Sequence, residues 1–412
     1  MEGRTIRALA EDQQDYMVCF RRELHRHPEV AGEEVWTSGR IAAELEHLGI
    51  PFVVDERRNV IGRIRGARPG KRLALRADFD ALPMTEATGL PYASEIPGIM
   101  HACGHDAHAA GLMGAAQLLW QLRDQLAGEV FLCFQIGEEL GYGAPEIIRY
   151  LKEQGGVDFV AGIHLMPDWQ PGTFICQSGP LMAGVAGWEI TVTGKGGHGS
   201  APWNTIDPIR PAAEILLRLG AIQGTRRSAF EQFVVSPCIF SAGTARNIIP
   251  DTALVSGTNR FFSARQQEEL IAMMEQTAQQ IAASYGARAE LVQGPPTMAV
   301  VNDPAAAALA AQVVREIGGS VQQATPLLAS DNMGDYLQTF PGIYVFAGSG
   351  PWEGERLPIH NAAYSPNEDA LTWSAAFFTG LTLAVCGEGE QLSKEKGGMT
   401  DAAEPAESGF PV

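Results

Sequence analysis

KRLALRADFD, residues 71–80, runs as a short apolar strand into two aspartates, Asp78 and Asp80. Two later segments have the same form. GEVFLCFQ (128–135) runs into Gly137, Glu138 and Glu139, and DFVAGIHL (158–165) carries His164 near its end. Helical spacing separates them, over 106–125 and 144–154. Strand alternating with helix predicts an α/β fold on a mostly parallel sheet. In open sheets of that kind ligands gather beyond the carboxyl ends of the strands. Three strand ends therefore deliver carboxylates and an imidazole to one edge.

Upstream, helical spacing covers 12–27 and 37–48, with strand-like runs at 51–54 and 59–64. The pattern changes near residue 184. A half-exposed strand (187–194), a helix (207–222), strands at 232–240 and 252–262, a helix (264–284) and a strand (287–292) follow. That β-α-β-β-α-β order is the ferredoxin-like sandwich. After Gly294-Pro295-Pro296 the first pattern resumes, with a helix at 303–317, a strand at 343–348 and a helix at 367–385. The expected division is a catalytic domain in two parts, 1–183 and 296–387, with a second domain, 184–295, inserted between them. A polar tail without periodicity occupies 388–412. Gly184, Gly187 and 294–296 are suited to act as hinges.

A length of 412 residues exceeds one ordinary core. A net charge of −18 argues against nucleic acid and anionic lipid as partners. No run of eighteen apolar residues predicts a membrane span, and MEGRTIRALAEDQQDY lacks the apolar centre of a signal peptide. Six scattered cysteines fit a reducing compartment, so a cytoplasmic protein is expected.

GIMHACGHDAHAAG (98–111) is the densest chemistry in the chain. Cys103 and His105 sit where a loop enters a helix. With one of the adjacent Glu138 and Glu139, with His164, and with His360 in a late loop, they form a ligand set for one or two transition-metal ions. Cys103 is the natural bridge between two ions. Thiolate and imidazole favour zinc, and the carboxylates also suit manganese, cobalt or nickel. His101 and His108 read as packing or capping residues. Neighbouring residues leaving a strand point in opposite directions, so one of the two glutamates should ligate and the other act as a base. Asp80 fits the task of orienting a ligand histidine through its second N–H. Arg246 and Arg260 are candidates to bind a substrate carboxylate.

RRELHRHPEVAGEE (21–34), RADFDALP (76–83), MHACGHDAH (100–108), FQIGEE (134–139), GIHLMPDWQPG (162–172), GKGGHGSAP (194–202), ARNIIPD (245–251) and PIHNAAYSPNEDAL (358–371) occur in that order. In this the chain resembles the M20 metallopeptidases, in the branch of aminoacylases, hippurate hydrolases and IAA-amino acid hydrolases. The resemblance implies a dimeric two-metal amidohydrolase acting on a small-molecule substrate. It implies Cys103, His105, Glu139, His164 and His360 as ligands, Glu138 as general base and Asp80 as its supporting aspartate. The inserted domain becomes a lid and dimerisation domain. Its His198 stabilises the oxyanion, in many members across the dimer interface, and Asn247 lies near the substrate. Three departures stand out. FQIGEE replaces the usual FQPAEE, Asp331-Asn332-Met333 replaces the usual EDF, and Trp203 stands where relatives often carry histidine. The reaction expected is hydrolysis of the amide of an N-acyl or N-aroyl amino acid. Deamination of an aromatic amine and dipeptide hydrolysis are the alternatives. A binding protein that has lost the chemistry is a third, and the complete ligand set argues against it.

Overall fold

The computed structural model describes residues 3–222 and 231–387. The tail expected over 388–412 lies outside them. Eight strands form one large sheet, ordered Phe52–Val54, Val60–Arg65, Ala127–Gln135, Arg68–Asp78, Phe159–Met166, Gly342–Gly348, Thr173–Ile175, Ser320–Gln322. The centre is parallel: Arg68–Asp78 lies between Ala127–Gln135 and Phe159–Met166, and Phe159–Met166 pairs in parallel with Gly342–Gly348. Antiparallel pairs at the Phe52 edge, and between Gly342–Gly348 and Thr173–Ile175, make the sheet mixed.

The register sets the location of the site. Asp78 pairs with Gln135, and Arg76 with Gly162. Asp80 and the Glu138–Glu139 turn therefore emerge beyond the carboxyl ends of two strands, and His164, two residues before the end of the neighbouring strand, lies at the same edge. Both faces of the sheet are covered. Helices Gln14–Arg26, Val35–Leu48, His105–Gln121, Pro304–Glu316 and Asp369–Cys386 bury one face, with Leu75, Leu132 and Phe377 in its core. Helices Ala144–Glu153 and Met333–Thr339 cover the other, around Phe131, Tyr336 and Tyr344.

Asp369–Cys386 is long and apolar enough to cross a membrane, but 72% of it is buried. It crosses His105–Gln121 so closely that a Cβ on Gly111 would lie 2.8 Å from the Ser374 Cβ. It is a core helix. The polar start of the chain also folds: Gly3–Glu11 is a helix that buries Ile6 and Ala10.

A second sheet lies in the insertion, ordered Val234–Ala242, Thr252–Phe261, Gly184–Thr193, Arg288–Gln293, antiparallel throughout. This is the strand order and direction of a ferredoxin-like sandwich. Helices Ile209–Gly220 and Ala264–Ser284 share a separate core with Trp188, Ile190 and Phe261. The outgoing and returning chains run side by side. Met182 pairs with Val300, Val185 exchanges hydrogen bonds with Thr297, and the Gly294 N–H donates to Gly187 O. At the crossing, a Cβ on Gly184 would lie 2.2 Å from the Phe261 ring, so glycine is required by space.

Candidate metal centre

Cys103 ends a buried loop, and Gly104 turns the chain into the helix His105–Gln121 with φ +92°, a conformation that favours glycine. His105 thus becomes the first helical residue. Its Nδ1 lies 2.9 Å from Asp80 Oδ1, and its Nε2 is buried without a hydrogen-bond partner. Asp80 also accepts the backbone N–H of Glu139 at 2.9 Å, so one carboxylate locks both an imidazole and the turn that carries Glu139. The Nδ1 of His164 is turned to the Leu165 carbonyl at 2.9 Å, and its Nε2 faces Cys103 Sγ at 3.5 Å.

His360 enters from the far end of the chain, with φ +63°, one of two non-glycine residues with positive φ among the described residues. Its backbone N–H donates to Ala102 O at 2.8 Å, tying its loop to the Cys103 segment. Its Nε2 stands 3.3 Å from Glu139 Oε1, an oxygen with no hydrogen-bond partner. The ligand atoms of Cys103, His105 and His164 lie within 4.8 Å of one another, as do those of Cys103, Glu139 and His360. Cys103 belongs to both sets, as a ligand bridging two cations would. Glu138 joins His105 and Glu139 within the same distance and stands apart from both sets.

Asp78, His105 and His108 also converge. There the bonds are already committed. His108 Nδ1 meets Asp78 Oδ1 at 2.6 Å, its Nε2 accepts the Leu165 N–H at 2.9 Å, and Arg76 lies 2.8 Å from Asp78 Oδ2. With both nitrogens engaged, His108 is a structural histidine. His101 is buried with neither nitrogen hydrogen-bonded, belongs to none of the ligand clusters, and burial lowers its pKa to about 4.

The electrostatics suit a cation. Burial lowers the pKa of His164 to about 4, leaving a neutral imidazole, the ligating form. Burial also pushes the Cys103 thiol far up, so a thiolate there needs a positive charge beside it. For His105, burial opposes protonation, but Asp78, Cys103 and Asp80 outweigh it and raise the pKa well above the ordinary range. Burial, with Asp331 nearby, also holds the Glu138 carboxyl well above its usual value. An unpartnered imidazole nitrogen, an unpartnered carboxylate oxygen and a buried thiol facing one another fit divalent ions of borderline softness.

The inserted unit places its predicted residues apart from this cluster. His198 is exposed and bonded to Ser200 Oγ at 2.7 Å. Its strand Gly197–His198 pairs with Ile248–Ile249, and the Gly199 N–H donates to Asn247 O, so His198, Asn247 and the neighbouring Arg246 share one rim. Arg260 lies elsewhere. Its Nε donates to Leu328 O at 3.0 Å and its Nη1 to Thr258 Oγ1 at 2.7 Å, which joins the insertion to the larger unit. Trp203 is 78% exposed.

One buried network has no counterpart in the sequence reading. Arg76 lies 2.8 Å from Asp78 Oδ2 and 3.3 Å from Asp331 Oδ1, and donates to Gln135 and Asn332. The Tyr344 hydroxyl donates to Asp331 Oδ2. An arginine inside the apolar run LALRA was the available signal, because a buried charge must be paired.

Residues 74–384 match Peptidase family M20/M25/M40. The chain is 37% identical over 371 residues to an N-acetylcysteine deacetylase of Bacillus subtilis, covering 90% of this chain and 96% of that one. It is 36% identical over 369 residues to thermostable carboxypeptidase 1 of Saccharolobus solfataricus, covering 88% and 93%. A crystal structure of a Bacillus subtilis dinuclear metal binding peptidase of the M20 family superposes with a TM-score of 0.79 at 35% identity, covering 91% of this chain and 99% of that one.

Proposed function

The chain belongs to peptidase family M20/M25/M40 and is a metal-dependent hydrolase of amide bonds that uses two divalent ions, and from that premise we propose that its substrate is an N-acyl or N-aroyl amino acid. Cys103, His105, Glu139, His164 and His360 hold the ions, with Cys103 shared. Zinc or manganese suits this donor set best. When bound, the ions supply Lewis acidity and lower the pKa of a water.

The chain's own residues do the rest. Glu138 takes the proton of the attacking water and returns it to the leaving nitrogen. Asp80 fixes the ring of His105 and the turn of Glu139. His198 donates to the oxyanion that forms on the acyl carbon. Asn247 and Arg246, on the same rim as His198, hold the carboxylate of the amino acid, and Arg260 braces the insertion. The relatives support this substrate class, since a deacetylase and a carboxypeptidase both cleave an amide next to an amino acid.

The observation that carries the reading is the spare carboxylate. Glu138 lies within 4.8 Å of the ligand atoms of His105 and Glu139, while Cys103 completes both other ligand sets without it. Structural sites seldom keep such a group. The inserted unit is also the dimerisation surface. Its edge strand Val234–Ala242 has one side unpaired among the described residues and exposes Ile239 and Phe240.

The test is a panel of N-acyl amino acids, dipeptides and aromatic amines offered to metal-reconstituted protein. Free amino acid should appear from the first group, and chelation should abolish it. Ammonia release from the amines, or turnover of dipeptides alone, would overturn the substrate assignment. Glu138→Gln should lower kcat by about 10²–10⁴-fold with metal content unchanged, and near-normal turnover would remove Glu138 from its role.

A further inference from the structure

The turn that carries Glu138 and Glu139 is gripped from several directions. Asn59 Oδ1 accepts the Ile136 N–H at 3.0 Å, and its Nδ2 donates to Gly143 O at 3.2 Å. Glu34 Oε1 accepts the Gly137 N–H at 2.7 Å. Gln135 Nε2 and Asn332 Nδ2 both donate to Tyr142 O, at 3.1 and 3.0 Å.

Asn332 links the turn to the buried Arg76 network. Besides Tyr142, its Oδ1 accepts from Arg76 Nη2 at 2.7 Å and from Gln135 Nε2 at 2.9 Å. Its backbone N–H points at Glu138 Oε1, 3.4 Å away. Asn332 is 1% exposed, so Arg76 Nη2 would lose its 2.7 Å acceptor in a dry interior and Tyr142 O would lose one of its two donors if this side chain were removed. A residue at this position must accept from a guanidinium and an amide and donate to a carbonyl at once. A side-chain amide does all three from two separate atoms, accepting at Oδ1 and donating from Nδ2, whereas a carboxylate cannot donate and a hydroxyl has only one atom for all three.

Two of the three departures from the M20 pattern meet at this point. Ile136 has the N–H that proline would lack, and Asn59 accepts it. Gly137 has φ +65°, and a Cβ there would lie 2.7 Å from the Tyr142 Cβ. Asn332 reaches the carbonyl of that same Tyr142. The changes at 136–137 and at 332 thus shape one object, the turn from Gly137 to Gly143.

We propose that Asn332, clamped to the Tyr142 carbonyl, is a positioning residue for hydrolysis: it holds the turn and the Glu138 carboxylate in place from behind, without touching substrate. This rests on the reading of Glu138 as the base. An aspartate at 332 keeps the acceptor toward Arg76 but sets a carboxylate oxygen against the Tyr142 carbonyl, which forces the turn to move. A displacement of about 1 Å can cost on the order of 10²-fold in rate.

The experiment compares Asn332→Asp, Asn332→Ser and Gly137→Ala in the full-length, metal-loaded enzyme. Gly137→Ala presses on the Tyr142 side chain and serves if the Asn332 variants do not fold. Folding is checked by melting temperature, and ion affinity by competition with a chromophoric chelator. The expected result is a loss in kcat of at least tenfold, with KM and ion affinity each within about threefold of the parent. On the Glu138→Gln background the same substitutions should lower the residual rate no further, because they act through one group. A smaller loss in kcat, a loss carried by KM or by ion affinity, or full additivity with Glu138→Gln would overturn the proposal. Near-normal turnover of Glu138→Gln alone would instead overturn the assignment of the base.

Discussion

Asp80 shows how one side chain does two jobs at this centre, since it binds both His105 Nδ1 and the Glu139 N–H. That contact was legible in the sequence, because a carboxylate two residues beyond a strand end, near a candidate ligand histidine, has few other uses. The choice among His101, His105 and His108 was less so. The three share a short segment, and only the hydrogen bonds separate the free Nε2 of His105 from the committed ring of His108. Glu34 was not legible at all. It is fully buried, accepts the Gly137 N–H through Oε1, and leaves Oε2 unpartnered. Burial raises its pKa to about 7. A carboxyl whose folded pKa exceeds its unfolded value stabilises the fold at low pH, and that stability is lost as pH rises toward 7 and above. In chelated protein, Glu34→Gln should therefore match the parent near pH 5 and exceed it near pH 8, by on the order of 2–3 kcal/mol. Urea unfolding at the two pH values checks this, and an equal difference at both would contradict it.

At the scale of the element, periodicity served long segments well and short ones badly. The helices Ala144–Glu153, Ala264–Ser284 and Pro304–Glu316 and the central strands fall where hydrophobic spacing puts them. The strands Thr173–Ile175, Gly179–Met182, Val300–Asn302 and Ser320–Gln322 are too short to show a period, and partners far away in the chain define them. The helix Met333–Thr339, only 7 residues long, went unread for the same reason. The helix pair under the centre is also a matter of contact. Gly111 lets Asp369–Cys386 approach His105–Gln121, and a Cβ there would meet Ser374 at 2.8 Å, the Cβ of a short side chain with little room to yield. Gly111→Ala should raise local helix propensity yet destabilise the protein, by about 1–3 kcal/mol from overpacking. The midpoint of denaturant unfolding reports the sign, and a stabilised variant would mean the helices separate freely.

The whole molecule joins two cores, one on each side of a narrow crossing, and the catalytic reading needs groups from both. His198, Asn247 and Arg246 sit on the exposed rim of the inserted sheet, while the Cys103, His105, His164, Glu139 and His360 cluster sits at the edge of the large one. The β-α-β-β-α-β order was legible because its strands and helices are of ordinary length. Which copy of the chain supplies His198 was not, since it depends on a surface that meets another molecule. If the rim serves a partner's centre, Glu138→Gln and His198→Ala chains, each inactive, should regain activity when mixed and allowed to exchange subunits. About a quarter of the parental rate is expected from random pairing in a two-fold dimer. Recovery of nothing, with exchange demonstrated, would place His198 in its own chain's site.

The ladder from Met182–Val300 to Gly187–Gly294 has a consequence for how such a protein is assembled. Because exit and return are neighbours joined by hydrogen bonds, the large sheet sees the whole insertion as the tip of a single hairpin. No strand of that sheet has its order or spacing set by what lies past the tip. A module mounted in this way can be exchanged, enlarged or trimmed over generations while the side chains at the edge of the large sheet keep their mutual positions. Rim chemistry and ion chemistry are then free to diversify at different speeds within one chain.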